Sequence, residues 1–159
     1  MKIFSILIIL VGLLSACNNS EESKEHLVQP YRVALDTILA EGGTYQDLAF
    51  IAIDMSNFED LDKSHKKEIV SYFKKKYKLD VMEATFEQLK QKGLYDFDKM
   101  ALVDGLLLSI RNVDFKSDEE MVFQGTSYRA SEGSMTIEFT VLYIEEKWEV
   151  QDVRLISIS

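Results

Sequence analysis

The chain has 159 residues, of which 47% are hydrophobic and 28% charged, and its formal net charge is -9. An acidic balance of this size favours solubility and speaks against nucleic acid or an anionic lipid surface as the main partner. A single cysteine excludes an internal disulfide, so the fold must be stable through its core alone.

Met1 and Lys2 precede an almost wholly apolar run from Ile3 to Leu14, interrupted only by Ser5 and Gly12. The run is shorter than the about 20 apolar residues that span a bilayer. A positive start, a short apolar stretch and small residues after it are the marks of a secretory leader. The stretch ends Leu14-Ser15-Ala16-Cys17, which resembles the lipobox of bacterial lipoproteins at all four positions. The resemblance implies that a transferase attaches diacylglycerol to the Cys17 thiol and that a dedicated peptidase cuts just before it. Residues 1–16 are then a signal peptide, Cys17 is the lipidation site, and the protein is expected on the extracytoplasmic face of the cell membrane. Two acyl chains make a stable anchor where one is marginal. Losing Lys2 with the leader takes the formal charge from -9 to about -10.

Asn18 to Gln29 reads NNSEESKEHLVQ, polar and acidic without apolar periodicity before Leu27. Such composition predicts disorder, so residues 17–29 are expected to be a flexible tether, with a reach of roughly 40 Å.

Residues 30–159 have the length of one domain. Pro30 suits a first helical turn, Val33, Leu35, Ile38 and Leu39 supply an apolar stripe, and Gly42-Gly43 is a stop. A helix is predicted over 30–41. Leu48–Asp54 fits a helical face through Tyr45, Leu48, Ala49, Ala52 and Ile53. It also fits a short buried strand through Phe50, Ile51 and Ile53, and the strand is preferred. Ser64 is placed to cap a helix over 64–77 carrying Ile69, Val70, Phe73 and Tyr77 at helical spacing. A short strand over 79–82 follows, then a short helix from a Thr85 cap to Lys92, ended by Gly93.

From Gly105 the pattern changes to period two. Strands are predicted over 105–113, from Met121 towards Tyr128, and from Met135 to Tyr143, where apolar residues alternate with Ser134, Thr136, Glu138 and Thr140. Glu145-Glu146-Lys147 is a turn. The last strand begins at Trp148 and Val150, then changes phase at Val153 and Leu155, which predicts a bulge near Gln151 and Asp152. The expected fold class is α+β, with N-terminal helices packed on a C-terminal antiparallel meander of about four strands.

This pattern loosely resembles cystatin-like and NTF2-like α+β domains. It also resembles uncharacterised small lipoproteins of Gram-positive bacteria that combine a lipobox with the texture IAID, SYF, KKY, FEQLKQKGL and DGLLLSI and a final strand carrying Trp. The resemblance brings no catalytic residues with it.

No chemistry-bearing motif stands out. His26 and His65 are far apart, and no cluster has metal-ligand spacing. Asp54 to Asp62, DMSNFEDLD, is acidic like a calcium loop but lacks the central glycine and the closing glutamate. Ser64-x-x-Lys67 has the letters of a nucleophile motif but falls on a helix cap and a solvated face. The glycines form no phosphate loop. Glu119-Glu120 and Glu145-Glu146 sit at expected turns. Asp104, Glu138 and Asp152 are candidates to meet on one sheet face, and Tyr128, Tyr143 and Trp148 to line a concavity or close the core. The lysines from Lys63 to Lys78 read as the wet face of a helix.

The expected function is therefore a membrane-anchored binding or interaction domain without catalysis. It carries no cofactor or metal, and its partner is the membrane through Cys17 together with an envelope protein or peptide. The alternatives are a small enzyme with a pocket in an NTF2-like cone, marked by a buried acid, and an immunity or inhibitor lipoprotein, marked by a partner-sized apolar patch.

Overall fold

The computed structural model describes residues 19–43 and 47–159; residues 1–18, with Cys17, and 44–46, with Tyr45, lie outside the described residues. In chain order the elements are α1 (Asn19–Glu41), β1 (Phe50–Asp54), α2 (Lys63–Tyr77), β2 (Asp80–Glu83), α3 (Phe86–Gln91), β3 (Tyr95–Asp96), β4 (Ala101–Leu102), β5 (Gly105–Ser117), β6 (Glu120–Tyr128), β7 (Ser134–Ile144) and β8 (Lys147–Ile158). Six strands form one sheet in the order β2-β1-β5-β6-β7-β8, and β3 and β4 form a separate ribbon. The fold is α+β, with a large, mostly antiparallel sheet.

The strand preference for 50–54 is met, and its reason is burial. Phe50, Ile51, Ala52 and Ile53 are all inaccessible to solvent, so both faces of the segment are covered, which a surface helix with one apolar stripe does not achieve. α2 carries the chain back, so β2 pairs with β1 in parallel, and β1 also pairs in parallel with β5. The sheet thus has more strands than the expected meander, which is β5 to β8. The ribbon β3–β4 was not foreseen either, since two-residue strands carry no readable period.

The largest difference concerns the start of the helix expected over 30–41. The first helix begins at Asn19, not Pro30, and Pro30 lies inside it. Leu27, Val28 and Tyr31 continue the stripe of Leu35, Ile38 and Leu39 backwards through the proline, and Val28 and Tyr31 are fully buried. The His26 ring packs 4.7 Å from Tyr143 and 5.1 Å from Trp148. Burial of these side chains outweighs the one backbone donor that proline removes. At the other end, the Gly42 amide donates to the Ile38 carbonyl and Gly43 takes φ 101°, the expected stop.

Asp62, not Ser64, caps α2. Its carboxylate accepts from the Ser64 and His65 amides, and the Asp62 amide donates to His65 Nδ1. A carboxylate is the better acceptor at a helix N-terminus because it also meets the helix dipole. Lys74, Lys75 and Lys76 occupy the last turn, the favourable end for cations. Thr85 and Gln88 form the expected cap of α3. The β7–β8 hairpin turns at Glu145 and Glu146, with φ 48° and 64°, the left-handed pair that matches strand twist. The expected bulge is present: Glu138 faces Arg154 and Thr140 faces Gln151, so Asp152, at φ 53°, and Val153 together oppose Phe139.

The sheet has two different faces. On the first, α1 lies across β5 to β8 and α2 against β2. Tyr31 packs on Phe58 and Phe123 at 4.8 and 5.6 Å, and Phe123 stacks on Phe139. Gly125 lets Ile38 approach so closely that an added Cβ would lie 2.1 Å from its Cδ1. Trp148 closes this core at one end, opposite Tyr143 in the ladder and only 7% exposed. α1 and α2 are tied by Asp36, which accepts from the Tyr72 and Tyr77 hydroxyls at 2.6 Å each and from Lys76 at 2.5 Å. Burial and the bond to Asp36 both push the Tyr77 phenol upward, so it stays a donor.

The second face is covered only in part. Phe50, Ala52 and Leu107 pack beneath Ala84, just after β2, and Leu89 and Leu102 from α3 and the ribbon. Gly105 lies flat against the Phe50 ring, where a Cβ would come within 2.0 Å. Beyond this cap the second face is open.

A candidate binding pocket at the β1–β5 junction

The open part of the second face begins with one transverse row of the sheet. Asp54 on β1 stands opposite Ser109 on β5, Ser109 opposite Thr126 on β6, Thr126 opposite Thr136 on β7, and Thr136 opposite Ser157 on β8. Directly opposed residues share a face, so five strands contribute five small polar side chains to one line. The Thr126 and Thr136 hydroxyls are 2.9 Å apart and hydrogen-bonded, with Thr126 only 3% exposed.

Beside the row, β5 carries a bulge. Ile110 opposes Gly125 and Asn112 opposes Gln124, so Arg111 is the extra residue. Bulges re-aim side chains, and here Arg111 Nε donates to Thr126 Oγ1 at 2.7 Å. One guanidinium edge is held by the sheet, and the terminal nitrogens form no ion pair among the described residues. The Asn57 amide bonds the Ile110 carbonyl at 3.2 Å and pins the same bulge to the loop after β1.

Asp54 ends β1. Its Oδ1 accepts from the Ser56 amide at 3.0 Å and the Ser56 hydroxyl at 2.6 Å, which closes a local turn. It is half-buried and forms no ion pair among the described residues, with Arg111 or any other cation.

The wall opposite these charges is aromatic. The Phe86 ring, from α3, lies 5.1 Å from Tyr128 and 5.2 Å from Tyr95. Burial and a hydrogen bond with Tyr95 push the Tyr128 phenol up to about 12, so it remains a neutral donor to the Met100 carbonyl, 3.2 Å away. Together these groups bound a half-open pocket of about 320 Å³ that includes Asp54, Ser109, Arg111, Thr126, Phe86 and Tyr128 in its lining.

Its position follows from topology. From β1 the chain moves by way of α2 to β2 on one side, and then by way of α3 and the ribbon to β5 on the other. The crevice between β1 and β5 is therefore a switch point, and open sheets with parallel strands bind ligands outside the carboxyl ends of the strands at such points. Asp54 is the carboxyl end of β1.

The residues singled out from sequence are scattered relative to this pocket. Tyr128 lines it. Tyr143 and Trp148 lie on the other face, in the core. Asp104 sits in the tight turn before β5 at φ 52°, its carbonyl accepting from the Ala49 amide. Glu138 and Asp152 border a separate groove of about 230 Å³ with Arg154, which is ion-paired to Glu138. In the Asp54–Asp62 loop, Met55, Phe58 and Leu61 are buried, and Asp54 and Asp62 serve the local turn and the α2 cap. Of the lysines, Lys66 bonds the Met55 carbonyl, Lys74 pairs with Asp80 and Lys76 with Asp36. Among the described residues no three His, Cys, Asp or Glu side chains are placed to hold a metal ion. The pocket's polar groups can bind and orient a ligand.

No family model matches the chain, and no curated protein or solved structure matches it either.

Proposed function

We propose that the chain is an extracytoplasmic lipoprotein, anchored through diacylglycerol on Cys17, whose domain binds a small ligand in the β1–β5 pocket without transforming it. The anchor rests on Leu14 to Cys17 and the apolar run before them. The binding role rests on one observation above all: a polar row, an arginine on a bulge and an aromatic wall converge at the switch point of the sheet. Concave sites with an apolar wall and a few converging polar groups are where small ligands bind.

The anchor has a direct test. Expressed in a bacterium, the wild type should be modified and partition into detergent, and Cys17→Ser should remain unmodified in the aqueous phase. Equal partition of the two would end the lipid reading.

A second reading, an interaction protein of the immunity or inhibitor kind, is favoured by the far end of β8. Val153, Leu155, Ile156 and Ile158 are exposed there on an edge strand, and long apolar edges invite pairing with another chain. Concentration-dependent association lost on Leu155→Lys would favour it.

A further inference from the structure

Asp54 and Arg111 line one pocket, carry opposite charges, and pair neither with each other nor with any other described charge. We propose that this pocket, taken as the ligand site, receives a small zwitterion of the α-amino acid kind with an apolar side chain. The ligand carboxylate docks on the free guanidinium edge of Arg111, the ammonium docks on Asp54, and the side chain lies against Phe86 and Tyr128.

The placement supports this assignment. Ser109 is directly opposite Asp54, and Arg111 is two residues further along β5. Arg111 Nε is held on Thr126, which Ser109 separates from Asp54 across the sheet. The two charges therefore border the pocket from different strands and leave the space between them to a ligand that carries both.

The chemistry of the walls narrows the class further. Nε of Arg111 is occupied by Thr126, which fixes the guanidinium plane and leaves its outer edge for a carboxylate in the bidentate manner arginine favours. Asp54 Oδ1 is held by Ser56, which leaves Oδ2 for an ammonium. A ligand bearing both charges makes two charge-assisted bonds here where a ligand bearing one charge makes only one, and bonds to charged groups are the stronger kind. The site therefore selects for both charges together. The Phe86–Tyr128 wall, at 5.1 Å between centroids, offers ring surface to the ligand side chain, and Lys90, which lies 4.4 Å over the Phe86 ring, is already paired with Glu87.

Calorimetry on the full chain in detergent tests this, with L-leucine and L-phenylalanine as probes. N-acetyl-L-leucine and L-leucinamide each lack one charge. At least one free amino acid should bind, and both blocked analogues should bind at least tenfold more weakly. Arg111→Gln and Asp54→Asn should each weaken binding at least tenfold without lowering the thermal midpoint, because Gln and Asn keep the local hydrogen-bonding shape. Blocked analogues that bind as well as the free amino acid would overturn the proposal. Arg111-dependent binding of acetate with no preference for an amino acid would overturn the zwitterion and leave the pocket reading standing. No binding of any of these probes by a folded chain would overturn the zwitterion and remove the support for the pocket as a ligand site.

Discussion

On the helix-covered face, Ile53, Leu108, Phe123, Phe139 and Val141 lie sealed beneath α1 and α2. On the opposite face, the strands carry Phe50, Ala52 and Leu107 under a small cap, then the half-buried Asp54, Ser109 and Thr136 around the buried Thr126. The same strands build both, residue by alternate residue. The first face removes apolar surface from water and gives the domain its stability. The second keeps polar groups in a fixed array that packing does not consume. The contrast teaches that one sheet can seal one face completely and still leave part of the other uncovered, where α3 and the ribbon reach only Phe50, Ala52, Leu107 and the rings of Phe86 and Tyr128.

Substitutions should separate the two faces by the size of their effects. The largest is expected at Trp148, which closes the covered face. Trp148→Ala should lose about 3–5 kcal/mol, as large aromatic truncations do, and the wild-type fluorescence should be blue-shifted. Urea unfolding and iodide quenching measure both, and a quenchable tryptophan with an alanine variant of unchanged stability would reject core closure.

Gly125→Ala comes next. Its Cβ would meet Ile38 Cδ1, and overpacking of this kind costs about 1–3 kcal/mol. Combined with Ile38→Ala, it should cost less than the two single changes added together. Additive losses would mean that the close approach of α1 to β6 is wrong.

Asp36→Ala tests the tie between the two helices. Tyr72, Tyr77 and Lys76 would lose their shared acceptor, at about 1–3 kcal/mol. The loss should shrink when Tyr72 and Tyr77 are already Phe, and a full loss in that background would assign the effect to something other than these bonds.

The smallest stability effect is expected on the open face. Arg111→Gln should change the unfolding free energy by less than about 0.5 kcal/mol, as exposed substitutions do. A loss comparable to that of Trp148→Ala would show Arg111 to be a structural pin, and the contrast between the faces would fail.

Much of this architecture could be read locally. The Thr85 cap needs only Gln88 three residues on. The alternation from Ser134 to Tyr143 marks β7, and the phase change before Val153 marks the β8 bulge. The stripe of α1 was present as well, but the polar run before it and Pro30 masked its true start. Of the pocket, only Tyr128 had been singled out. Arg111 lacks a periodic signature because a bulge residue breaks the period, and Asp54 read as one acid among several in a loop.

By itself, the sequence determined the longer strands β5 to β8, the helices over 64–77 and 86–91, the Thr85 cap, the Glu145–Glu146 turn and that no internal disulfide assists them, because turn chemistry and periodicity act over a few residues. Only the tertiary structure decided that β1 sits in parallel between β2 and β5 and that α1 begins before the proline. It also decided that Asp54 and Arg111, far apart in the chain, share one pocket. These features depend on which strands meet and in what register. Register is set by the burial of whole faces, a quantity no short window of sequence contains.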